Sequence, residues 1–76
     1  MVLMLQEKPE IRASEVRRLR FGNRMTQQTL AAAAGLSLGQ INRIESGKVK
    51  SPHYGTVDKL AGALGVESDD LWVTPR

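Results

Sequence analysis

The chain has 76 residues, 11 Lys and Arg against 8 Asp and Glu, a net charge of +3 and no cysteine. A chain this short makes one domain and buries only about 60% of the surface that its unfolded form exposes. Without cysteine there is neither a disulfide nor a thiolate metal site to add stability, so a cytoplasmic protein that gains stability from a partner or a dimer fits these limits.

The charge is unevenly spread. Residues 1–13 are balanced. Residues 14–53 carry Arg17, Arg18, Arg20, Arg24, Arg43, Lys48 and Lys50 against Glu15 and Glu45, whereas residues 54–76 carry more acid than base. A phosphate-facing surface requires this kind of segregation; an ordinary solvated surface is the plain alternative.

Residues 1–13 read as an N-terminal extension, either a tail or a dimer arm. Val2–Leu5 is a short apolar run without a basic flank, too short for a signal-peptide core or a membrane span. The domain proper is expected over residues 14–73, with 74–76 as a C-terminal tail. Helix 1 starts near Ser14, with Glu15 in its first turn. Val16 and Leu19, with Phe21 or Ile11, supply its buried side, and Arg17, Arg18 and Arg24 face water. Asn23 is the candidate for a left-handed cap at its end, and Met25 packs ahead of the next helix as a staple.

The stretch Thr26–Gly47 reads as two short helices joined by a tight turn. Thr26 caps the first, and Gln27 to Ala34 are mostly strong helix formers. Gly35 ends that helix in a left-handed conformation. Ser37 caps the second helix, Leu38 to Ser46, and Gly47 closes it. Leu30, Ala31 and Ala34 form one apolar face, Ile41 and Ile44 another, with Leu36 plugging the turn. The outward stripe of the second helix is Leu38, Gly39, Asn42, Arg43 and Ser46, spaced by three and four. It is small or polar and free of acid, and a DNA major groove is wide enough to admit such a helix.

A basic loop, Lys48 to His53, precedes helix 4, Tyr54 to Leu64, whose buried face is Val57, Leu60, Ala61 and Leu64. Gly65 caps it. A short fifth helix is expected over Ser68–Trp72, with Asp69 and Asp70 at its N-terminus. Catalysis finds little support. The one histidine, His53, has no acid beside it in sequence, and Ser14, Ser37 and Ser68 read as caps. Neither a metal nor another cofactor is implied.

Gln27, Ala31, Gly35, Ile41, Ile44 and the run Ile44-Glu45-Ser46-Gly47-Lys48 resemble the helix-turn-helix of the lambdoid phage repressor and Cro family, also called the XRE family. The resemblance extends from about Val16 to Trp72. It implies an all-α fold, a compact five-helix λ-repressor-like domain, in which the second helix of the motif enters the major groove. Where the family usually ends helix 1 with glycine, this chain has Arg24. Glu45 faces the core, where an unpaired carboxylate is costly, and Arg20 is its natural partner, as in relatives.

On this footing Ser37, Leu38, Gly39, Asn42 and Arg43 face bases, while Gln27, Gln40, Ser46, Lys48, Lys50 and His53 contact the DNA backbone. Hydrogen-bonded base readout falls mainly on Arg43, with Asn42 and Ser37 secondary. The expected protein is a small homodimeric transcriptional regulator binding double-stranded DNA at a palindromic operator. Leu71, Trp72 and Val73 are the expected dimer interface; Trp72 folded back over Leu64 and Val66, or an interface made by Val2–Leu5, are the alternatives. Proteins of this size resemble restriction–modification controllers, small phage repressors and antitoxins. The rival reading is an antitoxin or adaptor whose main partner is another protein, such as a toxin.

Overall fold

A computed structural model describes residues 9–73; the Val2–Leu5 run and the tail 74–76 lie outside the described residues. Four helices carry the fold: α1 (Ala13–Gly22), α2 (Gln27–Ala34), α3 (Leu38–Glu45) and α4 (Tyr54–Leu64). A two-stranded antiparallel sheet, β1 (Glu10–Ile11) and β2 (Trp72–Val73), joins the two ends, with Glu10 opposite Val73 and Ile11 opposite Trp72. The λ-repressor-like class read from the sequence holds, with one helix fewer.

Local chemistry sets the helix boundaries. Thr26 Oγ1 accepts from the Thr29 N–H at 3.0 Å, and Ser37 and Gln40 form a reciprocal capping box at the start of α3. All four helices close with the same pair of backbone bonds, one from the left-handed residue and one from its successor: Arg24 and Met25, Gly35 and Leu36, Gly47 and Lys48, Gly65 and Val66. This is the Schellman motif, and its left-handed position suits glycine.

Three of the four closures use glycine; α1 uses Arg24, at φ 58°. Asn23, the expected left-handed residue, instead sits at φ −93° and ψ 6°. Its side-chain Nδ2 donates to the Leu19 carbonyl at 2.8 Å, which extends the last turn and moves the reversal one residue on. The start of α1 also differs. Ser14 lies inside the helix, and Arg12 occupies the cap position without a side-chain cap bond.

The core gathers Ile11, Val16, Leu30, Ala31, Ala34, Ile41, Ile44, Val57, Leu60, Ala61, Leu64 and Leu71. The small alanines of α2 let it pack against both α3 and α4, and α1 packs on α3. Met25, Leu19 and Leu36 sit partly buried against the cluster. Phe21, a candidate for the buried side of α1, is 66% exposed, and Ile11 takes that role.

The expected fifth helix is a single 3-10 turn, Ser68–Asp70. Asp70 Oδ2 accepts from the Glu67 N–H at 3.0 Å, which closes the turn, and the Ser68 hydroxyl donates to Asp58 Oδ1 at 2.5 Å instead of capping. Trp72 and Val73 favour extended backbone and pair with β1, and this leaves Leu71 wholly buried in the core. The folded unit therefore begins before residue 14. Ile11 donates to the Lys50 carbonyl at 2.7 Å, Ser51 Oγ donates to the Pro9 carbonyl at 2.9 Å, and Arg12 donates its N–H to the Leu71 carbonyl at 2.8 Å. Residues 9–12 tie the loop after α3 to the C-terminal strand.

Gly62 lies inside α4 with open space where a Cβ would stand, whereas Gly65 holds φ 74°. Gly62→Ala is expected to stabilise the domain by about 0.5–1 kcal/mol, and Gly65→Ala to destabilise it by about 1–2 kcal/mol. Thermal unfolding checks both: the two midpoints should move in opposite directions from the wild type.

Candidate nucleic-acid interface

The orientation of α3 about its own axis is set from inside. Ile41 and Ile44 enter the core, and Glu45, one position further, is 3% exposed beside Arg20 at 8%. Arg20 Nε donates to Glu45 Oε2 at 2.7 Å and Arg20 Nη2 to Glu45 Oε1 at 3.0 Å, a fork-to-fork pair between α1 and α3. The third Arg20 nitrogen, Nη1, donates to the Met25 carbonyl at 3.0 Å. Hydrogen bonding to Glu45 holds the Arg20 guanidinium above its ordinary pKa, against the opposing effect of burial. Among the described residues no buried side-chain nitrogen or oxygen lacks a partner.

Two further contacts reach this pair. Gln27, the first residue of α2, donates from Nε2 to Glu45 Oε1 at 3.2 Å, and Asn42 donates from Nδ2 to Gln27 Oε1 at 3.4 Å. Arg17 Nη1 donates to the Glu45 carbonyl near the end of α3. A positive side chain is favourable there, because it complements the C-terminal end of the helix dipole. Sequence reasoning gave Arg17 only an exposed position. The available signal was its spacing, one turn ahead of Arg20 on α1.

With the inner face fixed, α3 turns Leu38, Asn42, Arg43 and Ser46 outward, all exposed, with Gly39 between them. A Cβ at Gly39 would stand 3.2 Å from Arg43 Nη1, so the arginine lies back along the helix over the space that the glycine leaves. Ser37 and Gln40 occupy each other: Gln40 Oε1 accepts from the Ser37 N–H at 2.9 Å and Ser37 Oγ from the Gln40 N–H at 3.1 Å. What they keep for a ligand is the Ser37 hydroxyl proton, the Gln40 amide protons and one lone pair on each side-chain oxygen. The Ser46 hydroxyl donates to the Arg43 carbonyl at 3.2 Å. Lys48, Lys50 and His53 are exposed on the loop that follows. A cleft of about 170 Å³ between α3, this loop and α4 is lined by Gln40, Arg43, Val49, His53 and Thr56, among others.

The C-terminal cluster divides. Leu71 is 0% exposed and serves the chain's own core, so it offers no surface to a second copy. Trp72 is half-buried and meets Tyr54 edge-on, ring centroids 5.4 Å apart at 72°. Tyr54 is 66% exposed and Val73 49%, so an apolar patch remains around Trp72. Among the described residues no group of three or more potential metal ligands clusters, and no helix is long and apolar enough to cross a membrane.

The helix-turn-helix family described as HTH_3 matches residues 16–71, which run from within α1 to just past the 3-10 turn. The chain belongs to the HTH_3 helix-turn-helix family. Two curated relatives resemble it. It is 37% identical over 60 residues to the putative antitoxin HigA2 of Mycobacterium tuberculosis, covering 79% of this chain and 59% of that protein. It is 37% identical over 57 residues to the uncharacterized HTH-type transcriptional regulator RghRB of Bacillus subtilis, covering 75% and 41%. The chain thus spans about half the length of the curated relatives it matches. Among solved structures, the restriction-modification controller protein C.AhdI of Aeromonas hydrophila is 29% identical with a TM-score of 0.71, over 76% of this chain and 86% of that one.

Removing one partner of a buried ion pair typically costs about 3–5 kcal/mol, because the other charge stays behind uncompensated. A domain of this size has about 4–11 kcal/mol in total. Glu45→Ala is therefore expected to lower the thermal midpoint sharply. A midpoint equal to that of the wild type would show that the pair braces nothing.

Proposed function

We propose that this HTH_3 chain is the DNA-binding unit of a cytoplasmic transcriptional regulator, and that it works without catalysis. The observation that carries the reading is the division of α3. One face is clamped by Ile41, Ile44 and Glu45, and the other presents Leu38, Gly39, Asn42, Arg43 and Ser46 to solvent without an acidic side chain. Such a helix fits the major groove of B-form DNA. Leu38 offers an apolar contact to a thymine methyl, and Arg43 offers paired donors to guanine. Ser37 and Asn42 add polar groups at the same face. Gln27, Gln40, Ser46, Lys48, Lys50 and His53 supply the phosphate contacts that set register. The regulator RghRB and the controller C.AhdI support this reading as relatives of like description.

The protein acts as a symmetric homodimer on a palindromic site, the two α3 helices about one helical turn, roughly 34 Å, apart. The dimer contact assigned here is the patch of Tyr54, Trp72 and Val73, where a large rigid aromatic side chain is left partly open. The likeness to HigA2 favours one second reading, an antitoxin that pairs with a toxin protein. A toxin gene beside the coding sequence, and co-purification of its product, would select that reading.

Selection from a random DNA pool with the purified protein tests the main reading directly. With about three to five phosphates neutralised per subunit, the log–log salt slope of a dimer is expected near −5 to −9. Arg43→Ala should cost about 1–3 kcal/mol on the best site and relax preference there, while Lys48→Ala weakens all sequences alike. Absence of binding to any duplex at low salt sinks the regulator reading. If both variants lose affinity equally across a panel of sequences, the division of roles is wrong.

Sedimentation measures the assembly. Folded Trp72→Ala is expected to be monomeric at concentrations where the wild type is dimeric. A chain lacking residues 1–8 that becomes monomeric while Trp72→Ala remains dimeric would move the interface to the N-terminal arm.

A further inference from the structure

The hydrogen bonds that run outward from the buried ion pair have a direction, and that direction constrains what the outer face of α3 presents. Both Glu45 oxygens accept from Arg20, with Nε at 2.7 Å from Oε2 and Nη2 at 3.0 Å from Oε1. An ionised carboxylate only accepts. The Gln27 group that lies 3.2 Å from Glu45 Oε1 must therefore be its amide nitrogen, and its carbonyl oxygen is turned away. Asn42 meets that oxygen at 3.4 Å, so Asn42 in turn must offer its amide nitrogen. The orientation of both amides thus follows from Glu45 Oε1 acting as the acceptor at the head of the chain of bonds.

We propose that the Arg20–Glu45 pair, acting through Gln27, fixes the edge that Asn42 turns outward, and that this edge reads adenine. The inference rests on the DNA-binding reading given above. The Asn42 amide nitrogen has two protons. One is engaged by Gln27; the other has no partner among the described residues, on an exposed residue of the outward stripe that also carries Oδ1. One acceptor beside one donor matches the major-groove edge of adenine, whose N6 amine donates and whose N7 accepts. Guanine shows two acceptors there, O6 and N7, and would set O6 against Asn42 Oδ1. Cytosine offers only the N4 donor, and thymine an acceptor and a methyl group. Gln27 is accordingly a positioning residue for base recognition as well as a phosphate contact. The two roles are compatible, because its amide nitrogen has a second proton.

The test uses the full chain and three proteins in parallel: wild type, Asn42→Ala and Gln27→Ala, each put through the same random-pool selection. The wild type is expected to enrich adenine at one position of each half-site, with discrimination of roughly 5- to 150-fold, as for a bidentate contact worth about 1–3 kcal/mol. Asn42→Ala should abolish preference at that position. Gln27→Ala should reduce it several-fold while leaving the base preferences at other positions in place, beyond any uniform loss of affinity. In the free protein, the Asn42 side-chain NH2 signals in a ¹⁵N correlation spectrum should shift on Gln27→Ala with the backbone spectrum otherwise preserved. Unmoved NH2 signals, an unchanged preference in Gln27→Ala, or guanine at the Asn42-dependent position would each overturn the inference alone. A wild-type protein that enriches no sequence overturns the DNA reading and the adenine assignment together.

Discussion

The contact between Arg20 and Glu45 governs the rest of the molecule. Two opposite charges sit almost out of reach of water between α1 and α3. Desolvation at such a place is expensive, and it is offset only where geometry and hydrogen bonding are complete. Here they are complete: two Arg20 nitrogens face the carboxylate, the third faces the Met25 carbonyl, and Gln27 shares the carboxylate from the start of α2. The three helices meet at one polar node. With Ile41 and Ile44 on the same side, α3 cannot turn about its axis without exposing two isoleucines and stripping both charges of their partners. The outward face of α3 is thus a consequence of the inward one.

How far the fold was legible in the sequence depends on the range of the interactions that set each element. Thr26, Ser37, Gly35, Gly47 and Gly65 act on backbone groups within a few residues, so the boundaries of α2, α3 and α4 could be read from local chemistry. The C-terminal segment could not. Ser68 to Trp72 contains acceptable helix-starting residues, and what turns Trp72 and Val73 into a strand is pairing with Glu10 and Ile11, more than sixty positions away in the chain. Arg24 failed for a subtler reason. Asn23 has the better intrinsic tolerance for a left-handed backbone, but its side chain closes the last turn of α1 and leaves the reversal to its neighbour.

The candidate interface shows the same contrast. Helical spacing alone separates Leu38, Asn42, Arg43 and Ser46 from the core-facing residues. Spacing is silent on which of them is already engaged. Gln40 and Ser37 each have a side-chain acceptor occupied by the capping box, and Asn42 is tied to Gln27 across the turn. Arg43 lies back over Gly39, into the space that the missing side chain leaves. Side chains that share a surface differ in how many donors and acceptors they still have free, and the partners that the fold brings to each one decide that number.

The small sheet has a topological consequence. In an antiparallel pair, opposed residues have Cα atoms about 4.5–5.5 Å apart, and here Glu10 stands opposite Val73. The unit is therefore entered and left at one point of its surface. Such a fold can be spliced into a loop of a host protein without prising the host apart, since the gap it must bridge is no wider than a tight turn. Conversely, a short peptide linking residue 73 back to residue 9 would close the chain into a ring, and new ends could be opened at an exposed loop such as that between α3 and α4, leaving the helix-turn-helix uncut.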